Sequence, residues 1–136
     1  MTTSHIDAHL EHIRSQFRRV DVAGAAQAVA AGGLLVDTRP SELRRRDGEI
    51  PGALVIDRNV LEWRLDASSP YRHPALRPGD GDRVLVLFCD EGYASSLAAA
   101  SLRSIGMTGA TDLIGGFQAW RAAGRPVTPD APATDG

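Results

Sequence analysis

The sequence predicts an α/β fold: a single domain with a central parallel sheet of about five strands and helices on both faces. Two observations carry that prediction. Short apolar runs alternate with Ala- and Leu-rich helical stretches through the whole middle of the chain. In addition, the run Arg83–Cys89 (RVLVLFC) is almost continuously apolar, as a strand covered on both faces must be, whereas a half-exposed strand would alternate. At 136 residues the chain has room for one such domain and not comfortably for two.

Taken in order, Ile6, Leu10, Ile13 and Phe17 step by four, three and four, which makes residues 1–19 an amphipathic helical extension. Its apolar stripe suits either a cover for the sheet or the contact of a homodimer. His5, His9 and His12 share one face at a spacing a metal could use. No carboxylate or Cys completes a ligand set, so a solvated face is the reading and no metal is expected. The α/β domain itself is expected over 20–127. Val22–Ala31 is a short helix, with Asp21 as N-cap and Gly32-Gly33 as its stop. Leu34-Leu35-Val36 is a buried strand that delivers Asp37, Thr38 and Arg39 at its end, and Pro40-Ser41-Glu42 opens a helix through about Arg46. Ala53–Ile56 reads as a strand, Asn59–Leu65 as a helical turn, and Ser68–Gly81 as a Pro- and Gly-rich loop. After Arg83–Cys89 come a helix from Tyr93 to Ile105, a strand at Thr111–Ile114 and a helix from Phe117 to Ala123. From Pro126 the chain lacks apolar bulk, and 128–136 is expected to be a flexible tail.

Composition narrows the chemistry. All fifteen basic residues are Arg, and without a Lys there is no Schiff base, no pyridoxal attachment and no P-loop amine. The single Cys rules out an internal disulfide and a multi-cysteine zinc site, so no cofactor is expected. A net charge of −2 gives no electrostatic case for nucleic acid as a partner. No apolar run approaches the ~20 residues of a membrane span, and the N-terminus lacks the apolar core of a signal peptide. A cytoplasmic location is the expectation, and a reduced thiol fits it.

Cys89 stands at the end of the best strand, just before a helix, where open α/β sheets bind their ligands. Unsatisfied N–H groups of the first turn favour a thiolate there, and Gly92 lets the loop curl with φ > 0. Position alone leaves two readings open, a nucleophile and an inert cysteine at a strand end.

Four separated pieces resemble the rhodanese-like sulfurtransferase domain: LLVDTRPSEL (Leu34–Leu43), GEIPGAL (Gly48–Leu54), CDEGYASS (Cys89–Ser96) and LIGGFQAWRAAGRPV (Leu113–Val127). They occur in that family's order and spacing. The resemblance implies that Cys89 is catalytic, taking a sulfane sulfur as a persulfide and passing it to a thiol acceptor. It implies that the loop of Asp90, Glu91, Gly92, Tyr93 and Ala94, closed by Ser95, cradles the sulfur with backbone N–H groups. It also implies that Asp37 and Arg39 brace the neighbouring loop, the alternative being a solvated surface pair.

Three positions depart from the family pattern. The loop carries Ala94 where an Arg normally stands before the Ser, Glu49 replaces the His of the G-H-I-P-G-A stretch, and Asp90 and Glu91 put carboxylates beside the sulfur. A like-charge contact at ~4 Å costs on the order of several kcal/mol before solvent screening. Poor use of dianionic thiosulfate is therefore expected, with a less charged small donor or a persulfide-bearing protein preferred. Arg58, or Arg64 beyond it, is the candidate replacement cation. A catalytically silent binding module is the alternative. Phosphatase chemistry is disfavoured, because a C-x5-R loop would need Arg at Ser95.

Overall fold

The computed structural model describes residues 3–128. Its elements are α1 (His5–Arg14), α2 (Val22–Ala30), β1 (Leu34–Asp37), α3 (Ser41–Asp47), β2 (Leu54–Val55), a 3-10 turn (Arg58–Val60) running into α4 (Leu61–Arg64), β3 (Leu85–Phe88), α5 (Ala94–Ser104), β4 (Ala110–Asp112) and α6 (Gly116–Ala122).

The strands form one parallel sheet in the order β2-β1-β3-β4. The period-two alternation of a strand divides the apolar residues between two cores. Val36, Leu85 and Leu87 face the side covered by α4 and α5, with Leu61, Leu65, Ala98 and Leu102. Leu35, Val86 and Phe88 face the side covered by α2 and α6, with Ala25, Phe117 and Trp120. All four residues of β3 are fully buried, which is why that run shows no alternation in sequence.

The sheet has four strands, one fewer than expected. The remaining pairing is a single parallel bridge, Val20 to Leu113. It cannot lengthen into a strand because Asp21 turns the chain at once into α2, its side chain accepting the Gly24 N–H at 2.7 Å.

The stripe on α1 covers its own chain. Leu10 and Ile13 are buried and Phe17 packs on the α4–α5 core, leaving Ile6 exposed. Pro126 to Thr128 are also fixed. The Trp120 indole donates to the Pro126 carbonyl at 2.9 Å, and the Thr128 N–H to that of Glu49 at 2.8 Å. Thr128, the first residue of the expected tail, is therefore held against the domain, and 129–136 lie outside the described residues. Among the described residues no helix is long and apolar enough to cross a membrane.

Candidate active site

Register brings the site together. Asp37 pairs with Phe88, and the Thr38 N–H donates to the Phe88 carbonyl at 3.0 Å, so the segment after β1 lies beside Cys89 at the carboxyl edge. Cys89 is half-buried, one residue past the strand. Two glycines shape its loop. Gly92 has φ +92°, and a side chain there would also meet the Gly115 nitrogen at 2.7 Å. The loop therefore curls until the Gly92 N–H donates to the Cys89 Sγ at 3.1 Å. Gly116 lets α6 start against the loop, since a Cβ there would lie 2.6 Å from the Cys89 carbonyl oxygen. The N–H groups of Phe117 and Gln118 donate to the carbonyls of Cys89 and Asp90 at 2.9 and 3.1 Å.

On the other side, the thiol lies 3.3 Å from the Ser95 hydroxyl oxygen, and Ser95 donates its one proton to the Asp112 carboxylate at 2.8 Å. Asp112, at the end of β4, is fully buried and also takes the Ser96 hydroxyl at 2.9 Å. Arg19 completes its shell, with Nε at 2.9 Å from one carboxylate oxygen and Nη2 at 3.1 Å from the other. The same Nη2 reaches the Gly92 carbonyl at 2.9 Å, where Arg14 also donates at 2.7 Å while its Nε donates to Ser96 at 3.0 Å. Sequence reasoning missed Arg14, Arg19 and Asp112. The only available signal was that Arg14 follows Ile13 at the end of the buried stripe and so cannot lie far from the surface that stripe covers.

The expected supporting residues Asp37, Arg39 and Arg58 all lie at this edge of the sheet. Asp37 and Arg39 form a fully buried pair, Nη2 to carboxylate oxygen at 2.8 Å, which excludes the solvated surface alternative. Arg39 also donates to the Gly48 carbonyl at 2.9 Å and lies 3.8 Å from the centroid of the Phe117 ring. It thus ties the Gly48 loop and α6 to the end of β1. Arg58 does reach the Cys89 cavity, but its guanidinium is held by Glu62 at 2.9 and 3.0 Å. Arg64 turns away to the Tyr71 carbonyl, so neither is a free replacement for the charge missing at Ala94. Glu49, in the place of the family's His, lies 3.5 Å from Nε of Arg44.

A cavity of about 370 Å³ opens over Cys89, with Pro40, Leu43, Tyr93 and Ala94 among its walls. Asp90 and Glu91 both line it. The Asp90 carboxylate is occupied, accepting from the Gln118 amide at 2.8 Å, while Glu91 is exposed to water. The like-charge penalty is thereby moderated, yet the cavity gains no surplus cation. Among the described residues no three His, Cys, Asp or Glu side chains converge as a metal site; His12 instead shares a hydrogen bond with Gln16.

The fold around this strand-end cysteine, whose loop turns the Gly92 N–H onto the sulfur, has counterparts among known proteins. The sequence pattern of the rhodanese-like domain matches residues 21–123. The chain belongs to the rhodanese-like family. Thiosulfate sulfurtransferase GlpE of Ectopseudomonas mendocina is 30% identical over 108 residues, 79% of this chain and 88% of that one. The human thiosulfate:glutathione sulfurtransferase is 36% identical over 89 residues, covering 63% of this chain and 76% of its own. A Zea mays adenylyltransferase and sulfurtransferase is 36% identical over 99 residues, and there this rhodanese-like chain spans only 19% of the relative's length.

Among solved structures, a Rhodopseudomonas palustris protein of unknown function, described as a possible tyrosine phosphatase, has a TM-score of 0.78 at 33% identity. It covers 94% of this chain and 97% of its own, more than residues 21–136 could supply, so part of the N-terminal segment matches as well. For phosphate chemistry this site lacks the loop arginine. Ser95 stands six residues past Cys89, and Arg103 is spent on the Thr108 and Ala110 carbonyls at the far end of α5.

Proposed function

We propose that this rhodanese-like chain is a sulfurtransferase carrying sulfane sulfur as a persulfide on Cys89. The observation that carries the reading is the Gly92 N–H 3.1 Å from the Cys89 Sγ at the mouth of the cavity. The names of its sulfurtransferase relatives support it. The Cys89 thiolate attacks the outer sulfur of a donor R–S–S⁻, the new S–S bond forms as the old one breaks, and RS⁻ leaves. An acceptor thiolate then attacks the outer sulfur, and Cys89 leaves as thiolate. Loop N–H groups meet the negative charge carried by the terminal sulfur.

The lining charges point to the donor. Arg39 is neutralised by Asp37 and Arg58 by Glu62, while Glu91 stays free in water. A dianion such as thiosulfate meets no unpaired guanidinium among these groups, so a small persulfide or a persulfide-bearing protein is the better donor, with a thiol as acceptor. Intact-mass measurement after exposure to thiosulfate, glutathione persulfide and a protein persulfide tests this. Wild type should gain one sulfur from the persulfides and little from thiosulfate, and Cys89→Ser should gain none. No gain from any donor would establish the silent module instead.

A further inference from the structure

The loop lacks the arginine its family places beside the sulfur, yet two arginines converge on the loop from behind. Arg14, the last residue of α1, and Arg19, in the link to α2, both donate to the carbonyl oxygen of Gly92, at 2.7 and 2.9 Å. The carbonyl oxygen has two lone pairs and accepts from both. Arg19 is balanced by Asp112. Arg14 spends its other contacts on the neutral Ser96 hydroxyl, at 3.0 Å, and on the face of Tyr93, 5.8 Å from the ring centroid.

The Gly92 carbonyl belongs to the same planar peptide unit as the Tyr93 N–H. In a trans peptide the C=O and N–H bonds point to opposite sides and their dipoles add, and no cis peptide is present among the described residues. Drawing electron density towards the oxygen makes the Tyr93 N–H a stronger donor, aimed away from the guanidiniums. The clamp also holds Gly92 at the positive φ that turns its own N–H to Sγ.

We infer that Arg14 and Arg19 are positioning residues for sulfur transfer: the N-terminal segment supplies, through the Gly92–Tyr93 peptide, the positive polarisation that the loop lost with Ala94. The inference rests on the persulfide reading of Cys89. Its ligand is the anionic sulfur itself, the Cys89 thiolate or the terminal sulfur of the persulfide. α1, lying outside the residues 21–123 of the family match, becomes part of the reactive centre.

The test is the pH dependence of Cys89 alkylation in the full chain, alongside sulfur loading from glutathione persulfide. Arg14→Gln should move the alkylation midpoint to higher pH by about half a unit to one unit, or about three- to tenfold less thiolate at neutral pH. Loading should slow in proportion. Arg14→Lys keeps the charge but cannot fork to Ser96 and Gly92 together, so it should recover part of the shift. Arg19→Gln should act in the same direction. If Arg14 only fastens α1 to α5, Arg14→Gln will lower the melting temperature and leave the midpoint of the folded protein unmoved, and the inference fails. If wild type loads sulfur from no donor, the persulfide reading fails, while the alkylation midpoint still decides for or against the clamp.

Discussion

The two strands beside β3 end alike and act differently. β1 ends in Asp37 and β4 in Asp112, both carboxylates fully buried and both gripped by a guanidinium through two nitrogens. Each guanidinium then reaches the carbonyl of a positive-φ glycine, Arg39 to Gly48 and Arg19 to Gly92. The first pair is sealed, with no side-chain exposure on either partner, and it braces a loop that does not carry the thiol. The second leaves its Arg 15% exposed and connects through Ser95 to the sulfur. One device therefore serves two purposes: on β1 it holds the frame, and on β4 it sets the surroundings of the nucleophile.

Asp37→Asn is the largest break of that comparison. It leaves the Arg39 charge buried without its counter-ion, and breaking such a pair costs about 3–5 kcal/mol. Against the ~5–15 kcal/mol that stabilises a domain, this shows as a large fall in the urea midpoint. Alkylation of the fraction that stays folded should change less than in Asp112→Asn, because Arg39, although it lines the cavity, is held on the Gly48 carbonyl and the Phe117 ring and not on the loop of Cys89. A large change in that reactivity would mean that the two ends of the sheet are not functionally distinct.

Asp112→Asn should reverse the proportions. Arg19 can turn its exposed edge to water, so the loss of stability should be smaller than for Asp37→Asn. The chemistry should move more. The Ser95 hydroxyl has one proton, and a charge-assisted bond to Asp112 at 2.8 Å outcompetes a contact to sulfur at 3.3 Å. The sulfur thus faces a lone pair, which suits a thiol better than a thiolate. Removing the carboxylate charge frees Ser95 to donate to sulfur, so neutral-pH alkylation should rise about three- to tenfold. The opposite sign from Arg14→Gln is the check: if both variants slow alkylation, the network acts only by holding the loop in place.

The same contrast explains what the sequence could show. Asp37 and Arg39 are two residues apart inside LLVDTRP, so strand, turn and pair can be read from one short segment. The buried run of β3 and the Leu10–Ile13 stripe of α1 are likewise local periodicities, legible before any coordinate. Arg19 and Asp112 are 93 residues apart, and a charge after an amphipathic helix reads as a solvated one until tertiary packing closes it. Arg58 reaches the cavity that the sequence expected, but its pairing was not read. It emerges at the right edge, but Glu62, one helical turn on, claims its guanidinium. The orientation of Asp90 depended on Gln118, again a partner brought in by the fold.

A third pair supplies the exposed end of the scale and the smallest effect. Asp47, at the end of α3, is pushed down from 3.8 to about 2, first by its hydrogen bond from Arg46 and then, against the cost of burial, by Gln118 and Arg121. A carboxyl lowered in the folded state adds stability above its ordinary value and loses that contribution as the pH falls through the folded one. Wild type should therefore exceed Asp47→Asn slightly in urea midpoint at neutral pH, and the gap should close between about pH 4 and pH 2. The effect stays small because Arg46 is 59% exposed and well screened. Since Gln118 joins Asp47 at 3.1 Å to Asp90 at 2.8 Å, Asp47→Asn also loosens the hold on the loop's first carboxylate. If the Asp90 charge is kept off the sulfur by Gln118, that variant should alkylate slightly more slowly than wild type at neutral pH. Unchanged alkylation would exclude the Gln118 side and leave the β4 end of the sheet, through Asp112, Arg19 and Arg14, as the buried network acting on Cys89.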